Sequence, residues 1–184
     1  MCNVKYILSP WPVVTDAFVS EGSIGQVFLY RNPTVLPRAY LVGRYRWART
    51  PDEAMAILLA DGMDPSTDVI LYDRPEGLPG TQLTDTRAAV DSYRTNEVIV
   101  KTFAETSCLL VLSDTFYPGW RAEVDGKDVP ILKGNLNHRV VQLPPGDHVV
   151  RFIFHSASVA LGLWLTGGGL ILVVIALVVF KKGT

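Results

Sequence analysis

Hydrophobic and polar residues alternate along the second half of the chain with the period of a β-strand. Trp120, Ala122 and Val124 alternate with polar residues over 120–125, and a similar alternation covers residues 97–103. In a strand, successive side chains point to opposite faces of the sheet, so this pattern places one face on a core. The pattern predicts a series of consecutive strands, each with one buried face.

Turn signals separate these strands. Asp125-Gly126 is a two-residue pair that favours a tight hairpin, and the run 144–147 contains two prolines and a glycine. Strands of this length, with turns about every 8–12 residues, are typical of an antiparallel sandwich or jelly roll. We therefore predict an antiparallel β part over 88–156. The continuously apolar run 107–112 indicates a strand that is buried on both faces.

The first half of the chain mixes strand and helix signals. Residues 26–31 and 38–45 are rich in β-branched and aromatic residues, which favour strands. Thr50 and Pro51 indicate the start of a helix, because Thr caps a first turn well and Pro suits the first helical position. We predict a mixed α/β part over 1–87 that contains one short helix.

The apolar segment near the C-terminus differs from the rest of the sequence. Residues 159–180 contain no charged residue, and at about 1.5 Å rise per residue they give roughly 33 Å of helix. This length covers a hydrocarbon core of about 30 Å. We therefore predict a mainly β domain over 1–156, followed by one transmembrane helix over 157–180.

Charges at the two ends of this segment predict its orientation. Lys181 and Lys182 follow it directly, whereas Arg151 is the nearest basic residue on the other side. The positive-inside rule then places residues 181–184 in the cytoplasm and the domain outside. No secretory signal precedes the first predicted strand, over 2–8, which leaves two expectations: the end of a longer membrane protein, or a tail-anchored protein with a cytoplasmic domain.

Composition argues against several classes of partner and site. Of the 17 basic residues, Lys181 and Lys182 follow the apolar segment, and the other 15 are set against 18 acidic residues. This mild acidity argues against nucleic acid as a partner. Cys2 and Cys108 are too few for a zinc site, and the three histidines lack metal-ligand spacing, so we expect no metal and no cofactor. The histidines are interpreted as solvated strand residues, and a Cys2–Cys108 disulfide stays open.

The densest cluster of aromatic residues is segment 113–120, which reads SDTFYPGW. Its Tyr-Pro-Gly sequence favours a turn. In one interpretation, Phe116, Tyr117 and Trp120 form an aromatic platform for a sugar ring, while Asp114, Arg121 or Asp125 bonds its hydroxyl groups. In the other, Trp120 is a core anchor, which its place on the apolar face of its strand favours. The candidate sites are glycan-binding only, because no motif indicates a catalytic residue.

Small residues in the apolar segment indicate partners in the membrane. Gly162 and the run 167–169 lie among large apolar residues. In lipid, small residues let helices approach each other closely, which an isolated anchor does not need. We therefore expect the lipid bilayer and other membrane helices as partners, with a cell-surface glycan as a further candidate.

The order of motifs from 110 to 152 resembles a known family. The run reads LVLSDTFYPGWRAEVDGKDVPILKGNLNHRVVQLPPGDHVVRF, and it is similar to the C-terminal part of the YfhO family of bacterial membrane proteins. In that family a YPGW turn, a DG hairpin, an Asn-containing strand, a Pro-Gly-His turn and a final membrane span follow one another. Segments 3–8 and 32–42 also resemble family segments. The matching positions are Tyr117, Pro118, Gly119, Trp120, Asp125, Gly126, Pro145, Gly146 and His148.

This resemblance implies more than the residues themselves indicate. YfhO-like proteins resemble GT-C glycosyltransferases, which transfer sugars from a lipid-phosphate donor onto cell-surface polymers outside the cytoplasm. Their acidic catalytic residue lies in an early extracytoplasmic loop, which this sequence lacks, so no catalytic residue is carried over. The expected function is a non-catalytic accessory domain in glycosylation at the bacterial cell membrane. The alternative is a structural or tail-anchored interaction module without a glycan role.

Overall fold

The protein is mainly β, with fourteen strands in three sheets and two helices among the residues described. The computed structural model describes residues 3–60, 62–75, 77–78 and 80–182, with side chains given for all of these except 157, 160, 174 and 176–182. The strands are β1 (Tyr6–Ser9), β2 (Val19–Ile24), β3 (Val27–Arg31), β4 (Ala39–Val42), β5 (Arg44–Trp47), β6 (Asp68–Leu71), β7 (Thr86–Arg94), β8 (Glu97–Ala104), β9 (Cys108–Thr115), β10 (Trp120–Val124), β11 (Lys127–Val129), β12 (Leu132–Gly134), β13 (His138–Leu143) and β14 (Gly146–Phe154). The helices are α1 (Pro51–Leu59) and α2 (Ala157–Lys182).

The six-stranded sheet closes on itself. Its strand order is β4-β9-β13-β12-β6-β5, and its two outermost strands are consecutive in the chain with Gly43 alone between them. One bent segment therefore contributes both edges, pairing with β9 before Gly43 and with β6 after it. A closed sheet leaves no long unpaired edge at this junction. The predicted single strand over 38–45 is thus two strands with different partners.

The five-stranded sheet, β11-β10-β14-β8-β7, packs on one side of this closed sheet and gives the sandwich-like architecture that the alternation predicted. Every pairing in it is antiparallel. Its apolar side chains, among them Val100, Ala122 and Phe152, meet Leu110 and Val141 from the six-stranded sheet. This contact is the largest core of the molecule.

Strand β9 is buried on both faces, as its continuous apolar run predicted. Leu110 and Leu112 face the core between the two sheets, while Leu109 and Val111 face a second core inside the closed sheet. Strands from both halves of the sequence pair with it or pack on it. Full burial of a Leu or Val side chain stabilises the fold by about 1.5–3 kcal/mol.

One pair of strands departs from the antiparallel pattern. β5 and β6 are parallel, and α1 connects them. The predicted cap begins this helix: the hydroxyl group of Thr50 accepts a hydrogen bond from the backbone N–H of Glu53 at 3.1 Å. The Glu53 carboxylate accepts a hydrogen bond from the N–H of Arg49, the residue before the cap, at 2.8 Å, so both side chains pair with backbone N–H groups at the start of the helix. The predicted start of the helix at Thr50 and Pro51 is therefore confirmed. The parallel pairing of β5 with β6 was not predicted.

A separate three-stranded sheet, β1-β3-β2, lies at the N-terminal end of the chain. Tyr30 on its central strand is buried, and its hydroxyl group accepts a hydrogen bond from the N–H of Val13 at 2.8 Å. Strand β2 was not predicted, because its VSEGSI sequence carries little of the apolar alternation that marks a half-buried strand.

The predicted transmembrane helix over 157–180 requires correction. Among the residues that the structure describes, no helix is both long enough and apolar enough to cross a membrane. The prediction is therefore wrong for the described part of the chain.

The bend at Gly43 provides a test of the closed sheet. A Cβ atom at this position would lie 2.0 Å from the carbonyl oxygen of Thr81 and 3.0 Å from the side chain of Leu83. We expect Gly43→Ala to lower the free energy of unfolding by about 3 kcal/mol, because backbone atoms cannot move aside cheaply. Denaturant unfolding followed by circular dichroism measures this change.

Gly167→Ala is the matched control for the same substitution. Nothing lies within 4 Å of a Cβ atom at Gly167, and Ala favours a helix over Gly by about 1 kcal/mol. A Gly43→Ala protein as stable as the unaltered chain would contradict the close approach of 81–83 to the bend.

Candidate functional site

An open cavity of about 520 Å³ lies at one end of the sandwich. Four segments meet there: the end of β7 with the turn to β8, the end of β9 with the loop to β10, the start of β13, and the end of β14. Its lining combines four aromatic side chains with polar and charged ones, namely Tyr93, Thr95, Asn96, Asp114, Thr115, Tyr117, Trp120, Arg139 and Phe154.

The Tyr-Pro-Gly turn sets the position of the aromatic residues. Gly119 has a φ of 102°, which favours glycine, and a Cβ atom there would lie 2.7 Å from the carbonyl oxygen of His155. The N–H of His155 donates to the carbonyl oxygen of Gly119 at 2.8 Å. The turn is thereby fixed to the end of β14, and Trp120 pairs directly with Phe154.

The aromatic rings differ in how far they are free to contact a ligand. The side chain of Tyr117 is 61% exposed, and its ring centroid lies 6.4 Å from that of Phe154. Trp120 is half-buried, with its ring centroid 5.3 Å from that of Phe154, and it packs against the core between the sheets. Tyr117 therefore offers an exposed ring in this cavity, and Tyr93 is also exposed although Arg38 lies over one face of its ring.

A polar cluster centred on Asp114 forms one wall. Nη1 of Arg38 donates to Oδ1 of Asp114 at 2.8 Å, and the hydroxyl group of Tyr93 lies 3.2 Å from Oδ2. Arg38 also stacks on the ring of Tyr93, 4.8 Å from its centroid. Nη2 of Arg139 lies farther from the carboxylate, at 3.3 Å from Oδ2. The close partner of the carboxylate is thus Arg38.

Arg139 is a buried cation with incomplete pairing. Its side chain is 4% exposed, and its guanidinium lies 3.8 Å from the ring centroid of Trp120. Among the described residues, its Nε and Nη1 atoms have no hydrogen-bond partner. Burial lowers the pKa of the Arg139 guanidinium from its usual value, and the Asp114 carboxylate opposes this shift. The contact with Trp120 compensates part of the charge, as a cation over an aromatic ring does.

The four predicted glycan-binding residues do not share one site. Tyr117 and Trp120 line the cavity, whereas Arg121 is exposed on β10 and does not line it. Asp125 lies at the opposite end of β10, in the turn before β11. At about 3.3 Å per residue, the five positions from Trp120 to Asp125 separate them by roughly 16 Å.

Asp125 instead connects the turn before β11 to the start of β14. Its Oδ1 accepts a hydrogen bond from the N–H of Val149 at 2.9 Å, and its Oδ2 lies 2.6 Å from Nδ1 of His148. These contacts lower the pKa of the Asp125 carboxyl, the backbone hydrogen bond from Val149 having the largest effect and the one from His148 the next. Asp125 also has a φ of 51°, a left-handed conformation that Asp tolerates better than most residues.

The interpretation of the histidines as solvated strand residues is wrong for two of them. His138 is buried, and burial lowers the pKa of its imidazole. His148 is largely enclosed by its contact with Asp125. No group of three or more His, Cys, Asp or Glu residues within the described ranges is arranged to hold a metal ion.

Sequence reasoning did not predict three residues of this cluster: Arg38, Tyr93 and Arg139. Arg139 lies in the run HRVVQL, where a single charged residue at a strand end reads as solvent-exposed. The structure instead has a register irregularity between His138 and Arg139. Arg38, just before β4, and Tyr93 on β7 are far from residue 114 in sequence, so no spacing links them. Cys108 is buried and free, and Cys2 lies outside the described residues.

Comparison with protein-family models, with characterised proteins and with solved structures finds no match for this chain.

The buried pairing of Asp114 and Arg139 can be tested by removing its negative charge. We expect Asp114→Asn to lower the free energy of unfolding by about 3 kcal/mol, because a buried guanidinium then loses its carboxylate. Chemical denaturation measures the change.

Asp91→Asn is the matched control, because Asp91 forms an exposed ion pair with Lys101 at 2.7 Å. Exposed pairs contribute about 0–1 kcal/mol. Equal stability losses in the two variants would show that the Asp114 cluster is no more than a surface pair.

The Asp125 contacts predict a specific dependence of stability on pH. Because the folded state lowers the pKa of this carboxyl below its ordinary value of 3.8, the unfolded chain binds the proton more readily. The stabilisation from Asp125 is therefore fully present above that ordinary pKa and is lost as the pH falls through the lowered one.

Asp125→Asn, which keeps the left-handed turn, should accordingly lose less stability than the unaltered chain on acidification from pH 5 to pH 2. Thermal unfolding at each pH measures the difference. Parallel stability curves for the two proteins would contradict a linked role for this carboxylate.

Proposed function

We propose that the chain is a non-catalytic, glycan-binding domain of a YfhO-like protein, accessory to glycosylation of cell-surface polymers outside the cytoplasm. The observation that carries this proposal is the cavity at the end of the sandwich, with free tyrosine faces beside fixed polar groups. The resemblance of the motif order from 110 to 152 to the YfhO family supports the cell-surface setting.

The cavity has the chemistry that a sugar ring needs. A sugar has an apolar face of C–H groups and a rim of hydroxyl groups, so it requires a flat aromatic surface and hydrogen-bonding groups around it. Tyr93 and Tyr117 provide exposed rings, and Thr95, Asn96 and Thr115 provide polar side chains at the rim. Rigid aromatic side chains give contact area at a low cost in conformational entropy.

We also propose the lipid bilayer and other membrane helices as partners of this chain. Large apolar side chains on the described part of α2 are exposed, including Trp164 at 81%. Soluble surfaces rarely carry so much contiguous apolar area without a partner. We place the domain at the bacterial cell envelope on this ground and on the family resemblance.

A purely structural role is the second candidate, and the packing of Trp120 favours it. Trp120 contacts Phe154 and the Arg139 guanidinium, and it packs against the main core. In that case, the aromatic cluster closes the end of the sandwich, and the domain acts as a structural or tail-anchored interaction module without a glycan role. The two functions differ in whether the cavity binds sugars, which can be measured.

Binding of cell-wall glycan fragments to the full chain tests the proposal. We expect saturable binding, weakened about tenfold by Tyr117→Ala, because truncating a central aromatic contact residue commonly costs more than 1 kcal/mol. Isothermal titration calorimetry measures the dissociation constant.

Tyr6→Ala is the matched control, since Tyr6 is similarly exposed but lies on β1, in the separate N-terminal sheet. It should leave affinity unchanged. Absence of saturable binding by the unaltered chain, or equal effects of both variants, would favour the structural role.

A further inference from the structure

The cavity contains a cation whose charge exceeds what its surroundings neutralise. Asp114 is close to two guanidinium groups, those of Arg38 and Arg139, so this cluster has two positive charges and one negative charge. The shorter contact, at 2.8 Å, goes to Arg38. Arg139, in the more deeply buried position, therefore shares the Asp114 carboxylate with a second cation.

A buried cation with free N–H groups is costly for a fold. Removing an ion from water costs several kcal/mol unless a counter-charge and hydrogen bonds replace the water. Nε and Nη1 of Arg139 have no such partner among the described residues. The pKa of the guanidinium is lowered by burial despite Asp114, which agrees with incomplete compensation.

The charges around the mouth of the cavity reinforce this excess. Arg94 is exposed and adjoins Thr95, which lines the cavity. The nearby carboxylate of Glu97 is already paired with Arg151 at 2.6 Å. A concave surface with this balance attracts anions.

We infer that the glycan bound in this cavity is acidic, and that an anionic group on its sugar ring pairs with Arg139 while the ring lies on Tyr117. This inference rests on the proposed glycan-binding function and names its ligand class. The anionic group is a carboxylate or a phosphate, since both accept charge-assisted hydrogen bonds from a guanidinium.

The contact between Arg139 and Trp120 makes this pairing observable. The indole ring covers the guanidinium at 3.8 Å, and the unpaired Nε and Nη1 atoms are enclosed. An anion therefore pairs with them only when the ring shifts. Binding of an acidic sugar should accordingly change the fluorescence of Trp120, and the Trp120→Phe variant should lack this change.

The experiment compares an acidic sugar with its uncharged form on the unaltered full chain. Trigalacturonate should bind at least about tenfold more tightly than its methyl ester or the neutral galactose trimer, because one charge-assisted contact commonly contributes a factor of ten or more. Added salt should reduce the difference. A second arm compares galactose 6-phosphate with galactose and distinguishes phosphate from carboxylate as the preferred anion.

Substitutions test whether Arg139 causes the preference for acidic over neutral sugars. Arg139→Gln should remove the preference for the acidic sugar, and Arg139→Lys should keep part of it. Arg121→Gln is the matched control, because this exposed arginine adjoins Trp120 without lining the cavity. If Arg139→Gln does not fold, the methyl-ester comparison on the unaltered chain still decides.

Each outcome bears on one claim. A preference seen with the phosphate alone supports the inference with phosphate as the anion. Equal affinity for acidic and neutral sugars overturns the inference and leaves the glycan-binding function standing. Failure of every sugar and of cell-wall fragments to bind overturns both.

Discussion

The fold depends on one strand that is buried on both faces. Leu110 and Leu112 of β9 belong to the core between the sheets, while Leu109 and Val111 belong to the core inside the closed sheet. Because successive side chains of a strand point in opposite directions, a continuous apolar run is what such a position requires. The five-stranded sheet and the closed six-stranded sheet are thereby held together by a shared element. A slip of one residue in β9 would exchange both faces and damage both cores at once.

The cavity arises where this two-layer packing ends. Toward the end of β9 the buried apolar residues give way to Ser113 and Asp114, and β13, which pairs with β9 in the same sheet, begins at His138 and Arg139 with a register irregularity. At that level, the space between the sheets is occupied by a carboxylate, a guanidinium and aromatic rings in place of aliphatic side chains. Such groups are costly between two sheets, and here the Arg139 guanidinium is compensated in part by Asp114 and by the ring of Trp120.

The sequence predicted those parts of the fold that depend on neighbouring residues. The alternation over 97–103 and 120–125, the Asp125-Gly126 hairpin and the Thr50 cap all act over a few positions, and each is present in the structure. The closure of the six-stranded sheet at Gly43 and the parallel pairing of β5 with β6 depend on contacts between distant segments, which no local pattern encodes. The predicted transmembrane helix rested on hydropathy over 157–180, and the described part of α2 does not bear it out.

The roles of the aromatic residues in the candidate site could also be predicted only in part from the sequence. The sequence left two interpretations of Tyr117 and Trp120 open, a sugar platform and a core anchor at Trp120, and favoured the core anchor. In the structure, Trp120 covers the Arg139 guanidinium and packs against the core, while Tyr117 stays exposed. The alternation along β10 predicted this core role, because Trp120 shares a face with Ala122. What it could not predict is the cation beneath the indole ring. The same ring packs against the core and covers the Arg139 guanidinium, so under the proposed function a single side chain couples stability to ligand binding at this end of the sandwich.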